Sequence, residues 1–300
     1  MNKRKGVLKL NKQSFNRTYL YVPGSSVKMI NKALDLETDS IILDLEDAVA
    51  PSDKEEARNT VVKYISKIKD SGKEVIVRIN SIREEHGYFD LEAIVSEEPN
   101  RIIVPEADES IVQEIDLLLN SAEVRHGVKK GKIRLIPLLE TASGIMNSYK
   151  ILSSTDRITG VQLGAEDLTK ELEIERTPTG NEIDYARVMT VYAGKSLNLD
   201  VIDTPYVYIK DDEGLKLDTV KAKSMGFTAK TCIHPNQINI INEIFTPTKE
   251  EVNSAKDLLS EYEKAKEKGK SVFVYNGQMV DAPIIERSRL IIEKYNKIRK

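Results

Sequence analysis

The sequence predicts an α/β fold, a (β/α)8 TIM barrel with a C-terminal helical extension. Three observations predict it. Eight short, β-branched apolar runs recur between Thr18 and His234, and their near-continuous apolar character is that of strands buried on both faces of a parallel sheet. Segments with helical periodicity lie between them, and strand–helix alternation repeated eight times suits a closed barrel better than an open doubly wound sheet. The length of 300 residues also fits, since α/β barrels exceed the usual ~150 residues per domain while remaining one unit.

The strands, in order, are Thr18–Pro23, Ser40–Asp44, Glu74–Asn80, Arg101–Pro105, Ile133–Glu140, Ile158–Asp167, Asp200–Pro205 and Phe227–His234. After the first, Met29, Ile30, Ala33 and Leu34 form an apolar helical stripe. After the second, Pro51 precedes Ser52 and Glu55, a capping box that leads Ala57, Val61, Tyr64, Ile65 and Ile68 to a stop at Gly72. After the fourth, Ile111, Val112, Ile115, Leu118 and Leu119 repeat the helical spacing. Beyond the eighth strand, Thr248 and Glu251 form another capping box before Val252, Ala255, Leu258, Leu259, Tyr262 and Ala265. An extended piece, Ser271–Val274, then runs into Tyr275–Pro283, and a last helix carries Ile284, Ile285, Ile291, Ile292 and Tyr295. The barrel is expected over residues 1–245, with residues 246–300 an extension packed on it or on a neighbouring subunit.

Composition excludes several classes of function. The chain is 40% hydrophobic and 31% charged, ordinary for a globular protein and far from a disordered one. Its 45 basic and 48 acidic residues leave a net charge of −3, which gives no general field for nucleic acid or an anionic membrane. A single cysteine, Cys232, excludes an internal disulfide framework and a multi-cysteine metal site and fits a reducing cytosol. No apolar run approaches the ~20 residues of a membrane helix, and the basic N-terminus has no apolar stretch behind it, so no signal peptide is expected. The expected location is cytoplasmic.

Barrel enzymes place their chemistry at the C-terminal ends of the strands. Here those ends carry Asp44-Leu45-Glu46-Asp47, Arg78-Ile79-Asn80, Glu140 and Glu166-Asp167. Charged groups emerging from apolar strands are costly unless compensated. One compensation is a hard divalent cation: Mg²⁺ takes one or two carboxylates and fills the rest of its octahedron with water and substrate oxygens, which Glu140 and Asp167 on adjacent strands can supply. The other is ion pairing with Arg78. Strand position alone leaves both open. Pro23-Gly24 precedes a helix start that suits a phosphate or carboxylate, or serves only as a turn. Lys230, ending the eighth strand, reads equally as a phosphate contact or a snorkelling surface lysine. His86, His126 and His234 are scattered, which argues against a histidine metal site, and Cys232 reads as an inert core thiol.

Seven segments in order, Arg17-Thr-Tyr-Leu-Tyr-Val-Pro-Gly24, Ile42-Leu-Asp-Leu-Glu-Asp-Ala48, Val77-Arg-Ile-Asn80, Leu139-Glu-Thr-Ala-Ser-Gly144, Leu163-Gly-Ala-Glu-Asp167, Cys232-Ile-His-Pro235 and Gly277-Gln-Met-Val-Asp281-Ala-Pro283, resemble the citrate lyase β-subunit family. Malyl-, citramalyl- and citryl-CoA lyases of the HpcH/HpaI aldolase superfamily are its relatives. The resemblance spans Arg17 to about Arg287 and implies a Mg²⁺-dependent carbon–carbon lyase acting on a 3-hydroxy-acyl thioester. It implies Glu140 and Asp167 as metal ligands and Arg78 as the holder of the substrate carboxylate or developing oxyanion. It assigns Arg17, Pro23 and Gly24 to the substrate or its thioester carrier, with Glu140 and Lys230 beside them. Asp281 is implied to enter a neighbouring subunit's active site and, with Glu46 as the other candidate, to move the proton, so that a homotrimer or hexamer follows. Asp44, Glu46 and Asp47 are expected to orient metal-bound water.

The expected substrate is a citryl thioester of CoA or of an acyl carrier protein, cleaved to oxaloacetate and an acetyl thioester, with further subunits of a citrate lyase complex as partners. Malyl-CoA or citramalyl-CoA lyase, an associated thioesterase and a non-catalytic assembly subunit are the alternatives. Three departures from the family pattern bear on the choice. Pro105-Glu106 stands where relatives carry Pro-Lys, Gly24-Ser25-Ser26-Val27 replaces Gly-Asn-Asn-Pro, and Gln278 replaces a lysine.

Overall fold

The structure, a computed structural model, describes residues 14–267, 269 and 272–298. The chain divides into a compact unit ending at Asn242 and a second beginning at Glu243. In the first unit eight parallel strands close a barrel in sequence order: β1 (Thr18–Pro23), β2 (Ser40–Asp44), β3 (Glu74–Arg78), β4 (Arg101–Val104), β5 (Arg134–Leu139), β6 (Gly160–Leu163), β7 (Asp200–Asp203) and β8 (Ala229–Cys232). From β3 onward the strands are shorter than the apolar runs, most of all at β6 and β8.

The helices between strands are α1 (Val27–Leu34), α2 (Lys54–Asp70), α3 (Glu85–Val95), α4 (Glu109–Arg125), α5 (Ala142–Met146), α6 (Ser148–Leu152), α7 (Ala165–Glu171), α8 (Asp184–Ser196) and α9 (Asp212–Met225). The apolar stripe of α2 (Ala57, Val61, Tyr64, Ile65, Ile68) is buried, and Gly72 stops the helix with φ of 81°, a conformation that favours glycine. The capping box expected of Ser52 and Glu55 is a correction. Pro51–Asp53 form a 3-10 turn that runs directly into α2, and Ser52 Oγ donates to Asp53 instead.

Alternation along the strands puts Ile42, Ile76, Ile103, Ile136, Leu138, Ile202 and Ala229 together with Tyr19 inside the barrel. Two residues earlier on β3, β4 and β7, the same parity turns Glu74, Arg101 and Asp200 inward. Arg101 donates to Glu74 through Nε (2.8 Å) and Nη2 (2.6 Å), to Asp200 through Nη1 (3.0 Å) and to the Tyr19 hydroxyl (2.7 Å). Asn16 and Ser40 complete Glu74. Gly160 makes room for this plug, since a Cβ there would lie 3.1 Å from Arg101 Nη1.

In the second unit, which takes the end of α10 (Gln237–Phe245), the expected capping box is formed: Thr248 N–H donates to Glu251 Oε2 and Glu251 N–H to Thr248 Oγ1. It opens α11 (Lys249–Glu267). A hairpin of β9 (Phe273–Tyr275) and β10 (Gln278–Val280) turns at Asn276 and Gly277, both with positive φ, the geometry of a two-residue turn. Asp281 follows, its carbonyl accepting the Ile285 N–H at the start of α12 (Ala282–Ile298). Among the described residues no helix is long and apolar enough to cross a membrane.

Removing Arg101 leaves Glu74 and Asp200 buried without their cation. Arg101→Met is therefore expected to destabilise the fold by about 3–5 kcal/mol, read as a lowered midpoint in urea denaturation with an unchanged circular-dichroism spectrum.

Candidate active site

Strand register sets the first row of the site. Pro23 lies opposite Asp44 and Asp44 opposite Arg78, at the C-terminal ends of β1, β2 and β3. Parity turns Asp44 and Arg78 inward, where they meet in a two-pronged pair: Arg78 Nε donates to Asp44 Oδ1 (2.7 Å) and Nη2 to Asp44 Oδ2 (2.6 Å). Such a fork fits a carboxylate in a way a lysine cannot. The remaining edge, Nη1, reaches Glu46 at 2.7 Å and Asp47 at 3.1 Å, and the Asp47 side chain is 70% exposed. The Arg78 guanidinium also sits 5.1 Å from the centre of the Tyr21 ring. Burial, outweighing Arg78, pushes the Glu46 carboxyl up to about 8, helped by the charges of Glu140, Asp47 and Asp44.

Glu140 ends the β5 run, one residue past Leu139, and is buried. Burial pushes its carboxyl up to about 7, and the Asp167 charge adds to that while a hydrogen bond from the Glu106 main chain opposes it. That bond, Glu106 N–H to Glu140 Oε1 at 2.5 Å, comes from a residue in the left-handed region (φ 46°). Opposite, Gly164 gives Glu140 its seat, because a Cβ there would lie 2.6 Å from Glu140 Cβ and 2.9 Å from its Oε2. Asp167 lies in the first turn of α7 and lines the same cleft. Its carboxylate has no hydrogen bond or ion pair among the described residues.

Glu140 and Asp167 thus line one cleft as two carboxylates, Glu140 with one main-chain donor. Among the described residues no three of the His, Cys, Asp and Glu side chains gather as a metal site, and Glu140 and Asp167 are the two carboxylates on this cleft that could hold a cation. That is the donor set of Mg²⁺, which keeps its other positions for water and substrate oxygens. A cation there would offset the desolvation that now raises Glu140.

Asp47, Glu140 and Asp167 also divide the mouth into two lobes. One, of about 810 Å³, is the more polar of the two and is lined by Lys54, Asn80, Ser81, His86 and Lys170. The other, of about 380 Å³, is mainly apolar and runs past Tyr21, Pro23, Met29, Leu138, Pro205 and Ile233. Lys54, which the sequence reading did not single out, is buried with Nζ donating to the carbonyls of Leu45 and Glu46 and to Asn80 Oδ1 (2.6–2.8 Å). It pins the acidic loop after β2. A lysine at the start of a helix gives no sequence signal for that task.

Three assignments are corrected by position. Arg17 precedes β1, at the opposite end from Pro23, and grips Asp39 with its N–H, Nε and Nη2. The six residues of β1 at about 3.3 Å each separate it from the lobes. Lys230 faces outward from β8, since its neighbour Ala229 faces in. It is fully buried against Asp203, Asp218 and the Thr204 carbonyl (2.5–2.7 Å), beside Arg187, so it meets no phosphate. It touches the site only through Thr204, whose hydroxyl accepts the Ala165 N–H that opens α7. Gly24 is buried with its N–H on the Asp44 carbonyl, and a Cβ would lie 2.8 Å from that oxygen. It is a packing position that brings β1 and β2 together, whereas Pro23 lines the apolar lobe. His234 Nδ1 accepts the Asn236 N–H in a turn, and the Cys232 thiol, expected as a core group, is buried and pushed up by burial.

The sequence profile of the HpcH/HpaI aldolase/citrate lyase family matches residues 17–235. The chain is 32% identical over 288 residues to the citrate lyase subunit beta of Leuconostoc mesenteroides subsp. cremoris, covering 96% of this chain and 95% of that protein. It is 32% identical over 295 residues to the mitochondrial citramalyl-CoA lyase of Rattus norvegicus, covering 94% of this chain and 87% of the rat protein. The crystal structure of CitE from Mycobacterium tuberculosis in complex with magnesium, acetoacetate and coenzyme A superposes with a TM-score of 0.74 at 25% identity, covering 94% of this chain and 98% of that one. A closed barrel with Glu140, Asp167 and Arg78 at its mouth and a profile match over most of its length place this chain in the HpcH/HpaI aldolase/citrate lyase family.

Proposed function

We propose that the chain is a Mg²⁺-dependent carbon–carbon lyase that cleaves a citryl thioester to oxaloacetate and an acetyl thioester, with Glu140 and Asp167 as the metal ligands. The observation that carries this is the carboxylate pair at the barrel mouth, Glu140 just past β5 and Asp167 in the first turn of α7, in a family whose relatives include citrate lyase β subunits and a solved structure holding magnesium and coenzyme A. A cation held there supplies chelation of the 2-hydroxy-carboxylate, which lowers the hydroxyl's pKa and stabilises the oxo acid.

The side chains supply the rest. Asp44 fixes the Arg78 fork on one edge, leaving Nη1 to exchange the exposed Asp47 for a substrate carboxylate. The apolar lobe beside Pro23, Met29 and Ile233 receives the acyl chain and excludes water from it. Cleavage needs the hydroxyl proton removed, the carbon–carbon bond broken to an acetyl-thioester enolate, and a proton returned to that carbon. Asp281 of a neighbouring subunit is the group we assign to proton removal, as the tail motif implies. Glu46 holds its proton near neutral pH, which suits it to donate. Positioned proton transfer of this kind contributes ~10²–10⁴-fold. On this reading the enzyme is a cytoplasmic homotrimer or hexamer whose thioester rides on CoA or an acyl carrier protein. Citramalyl-CoA is the second reading, favoured by the rat relative; Ser25-Ser26-Val27 and Glu106 depart from the pattern that the citrate lyase resemblance implies.

A coupled assay offering citryl-, citramalyl- and malyl-CoA with and without EDTA tests the proposal. EDTA is expected to abolish cleavage, and Glu140→Gln and Asp167→Asn each to lower kcat on the order of 10²-fold or more while raising the Mg²⁺ requirement. Cleavage unaffected by EDTA and by Asp167→Asn would remove the metal assignment. For Asp281, separately inactive Asp281→Ala and Arg78→Ala proteins are expected to regain part of the activity when mixed as verified hybrid oligomers; no recovery confines Asp281 to its own subunit. For Glu46, folding raises the carboxyl from its ordinary 4.5 to about 8, so its contribution to stability is full below about pH 4.5 and is lost as pH rises through about 8. Without divalent cation, Glu46→Gln is therefore expected to gain in relative urea-denaturation midpoint as pH rises across that window, and a pH-independent difference contradicts the assignment.

A further inference from the structure

Gln162 is an amide placed where the barrel has no structural use for one. It stands on β6 opposite Leu138, is only 2% exposed, and lines the apolar lobe with Tyr21, Arg78 and Glu140. The inward layer beside it is Ile136, Leu138 and Ile202. Its Nε2 donates to the Tyr21 hydroxyl at 2.8 Å, while Oε1 has no partner among the described residues. Of the described buried polar atoms without a hydrogen bond, this is the one whose residue lines either lobe. Turning the amide over exchanges its ends but still leaves one end on Tyr21 and the other without a partner. In either orientation the pair keeps an N–H or O–H donor unused. An unmade hydrogen bond at a buried amide carries a desolvation penalty that a bound polar group would remove.

The charge around the pair selects the kind of group. Arg78 lies over the Tyr21 ring at 5.1 Å from its centre, with Asp44 and Glu140 lining the same lobe, so an oxygen that accepts from Gln162 or Tyr21 sits within reach of the guanidinium. A hydrogen-bond-accepting oxygen fits there and a methyl group leaves the donors unpaired. We infer that Gln162 and Tyr21 form the subsite that receives the substituent on the carbinol carbon of the hydroxy acid and that they select a carboxymethyl group over methyl or hydrogen. The inference rests on the thioester-lyase reading above and adds to it the residues that would distinguish citryl from citramalyl and malyl thioesters. A site built to hydrogen-bond a substrate group discriminates strongly against analogues lacking it, because its own polar atoms are then left unpaired.

Calorimetric titration of the Mg²⁺-loaded protein with oxaloacetate and with pyruvate tests this without requiring turnover. The unaltered protein is expected to bind oxaloacetate more tightly. Gln162→Leu, which keeps the volume, should lower the oxaloacetate-to-pyruvate affinity ratio by about tenfold or more. Tyr21→Phe, which keeps the ring under Arg78, should move it in the same direction, and the ratio of kcat/KM for citryl-CoA over citramalyl-CoA should follow. A ratio unchanged in both variants, or tighter binding of pyruvate by the unaltered protein, overturns the inference while leaving the lyase reading in place. Failure of the unaltered protein to bind either oxo acid overturns the lyase reading together with the inference.

Discussion

Desolvation at the barrel mouth is the constraint on which the rest of the site depends. Isoleucine and valine strands carry Asp44, Arg78 and Glu140 inward by simple alternation, and each arrives where water is scarce. Asp44 and Arg78 compensate one another as a fork. Burial, helped by the Asp167 charge and opposed by one main-chain donor, holds the Glu140 carboxyl well above the usual carboxylate range. The buried Glu140 and the exposed Asp167 share one cleft, and on the proposed reading a cation there would offset the desolvation of Glu140. The opposite end shows the other solution: Glu74 and Asp200 are answered by Arg101, and the barrel is sealed there by a buried ion cluster.

This contrast also explains what the sequence made legible. Strand runs and their spacing reveal the barrel because a parallel sheet covered on both faces must be apolar throughout, and that pattern survives without any structure. Asp44, Arg78, Glu140 and Asp167 stand out for the complementary reason, as charges ending such runs. Arg17 and Lys230 were misplaced because a strand has two ends and two faces. Arg17 stands before its strand and Lys230 shares a strand with inward Ala229, so parity turns it outward, where Asp203 and Asp218 hold it together with Arg187, which pairs with the same two carboxylates. Gly24 looked like a ligand loop but serves close contact between β1 and β2. Lys54 left no mark in the sequence, since its role depends on a loop folding back over a helix start.

The division of the mouth gives the site an asymmetry that bears on function. On one side of the carboxylates lies a wide polar cleft, on the other a narrower apolar one. On the lyase reading, the narrower cleft takes the acyl chain, and Arg78, Gln162 and Tyr21 in its wall meet the oxygens of the hydroxy acid.

Glu106 carries a consequence of its own. It holds Glu140 through its main-chain amide, from a left-handed backbone, while its side chain turns away toward Ser81 and Arg83. Grip and decoration are therefore separable at this position. The charge this position presents at the mouth can change with the side chain without loosening the acid beneath it, because the grip on Glu140 belongs to the backbone.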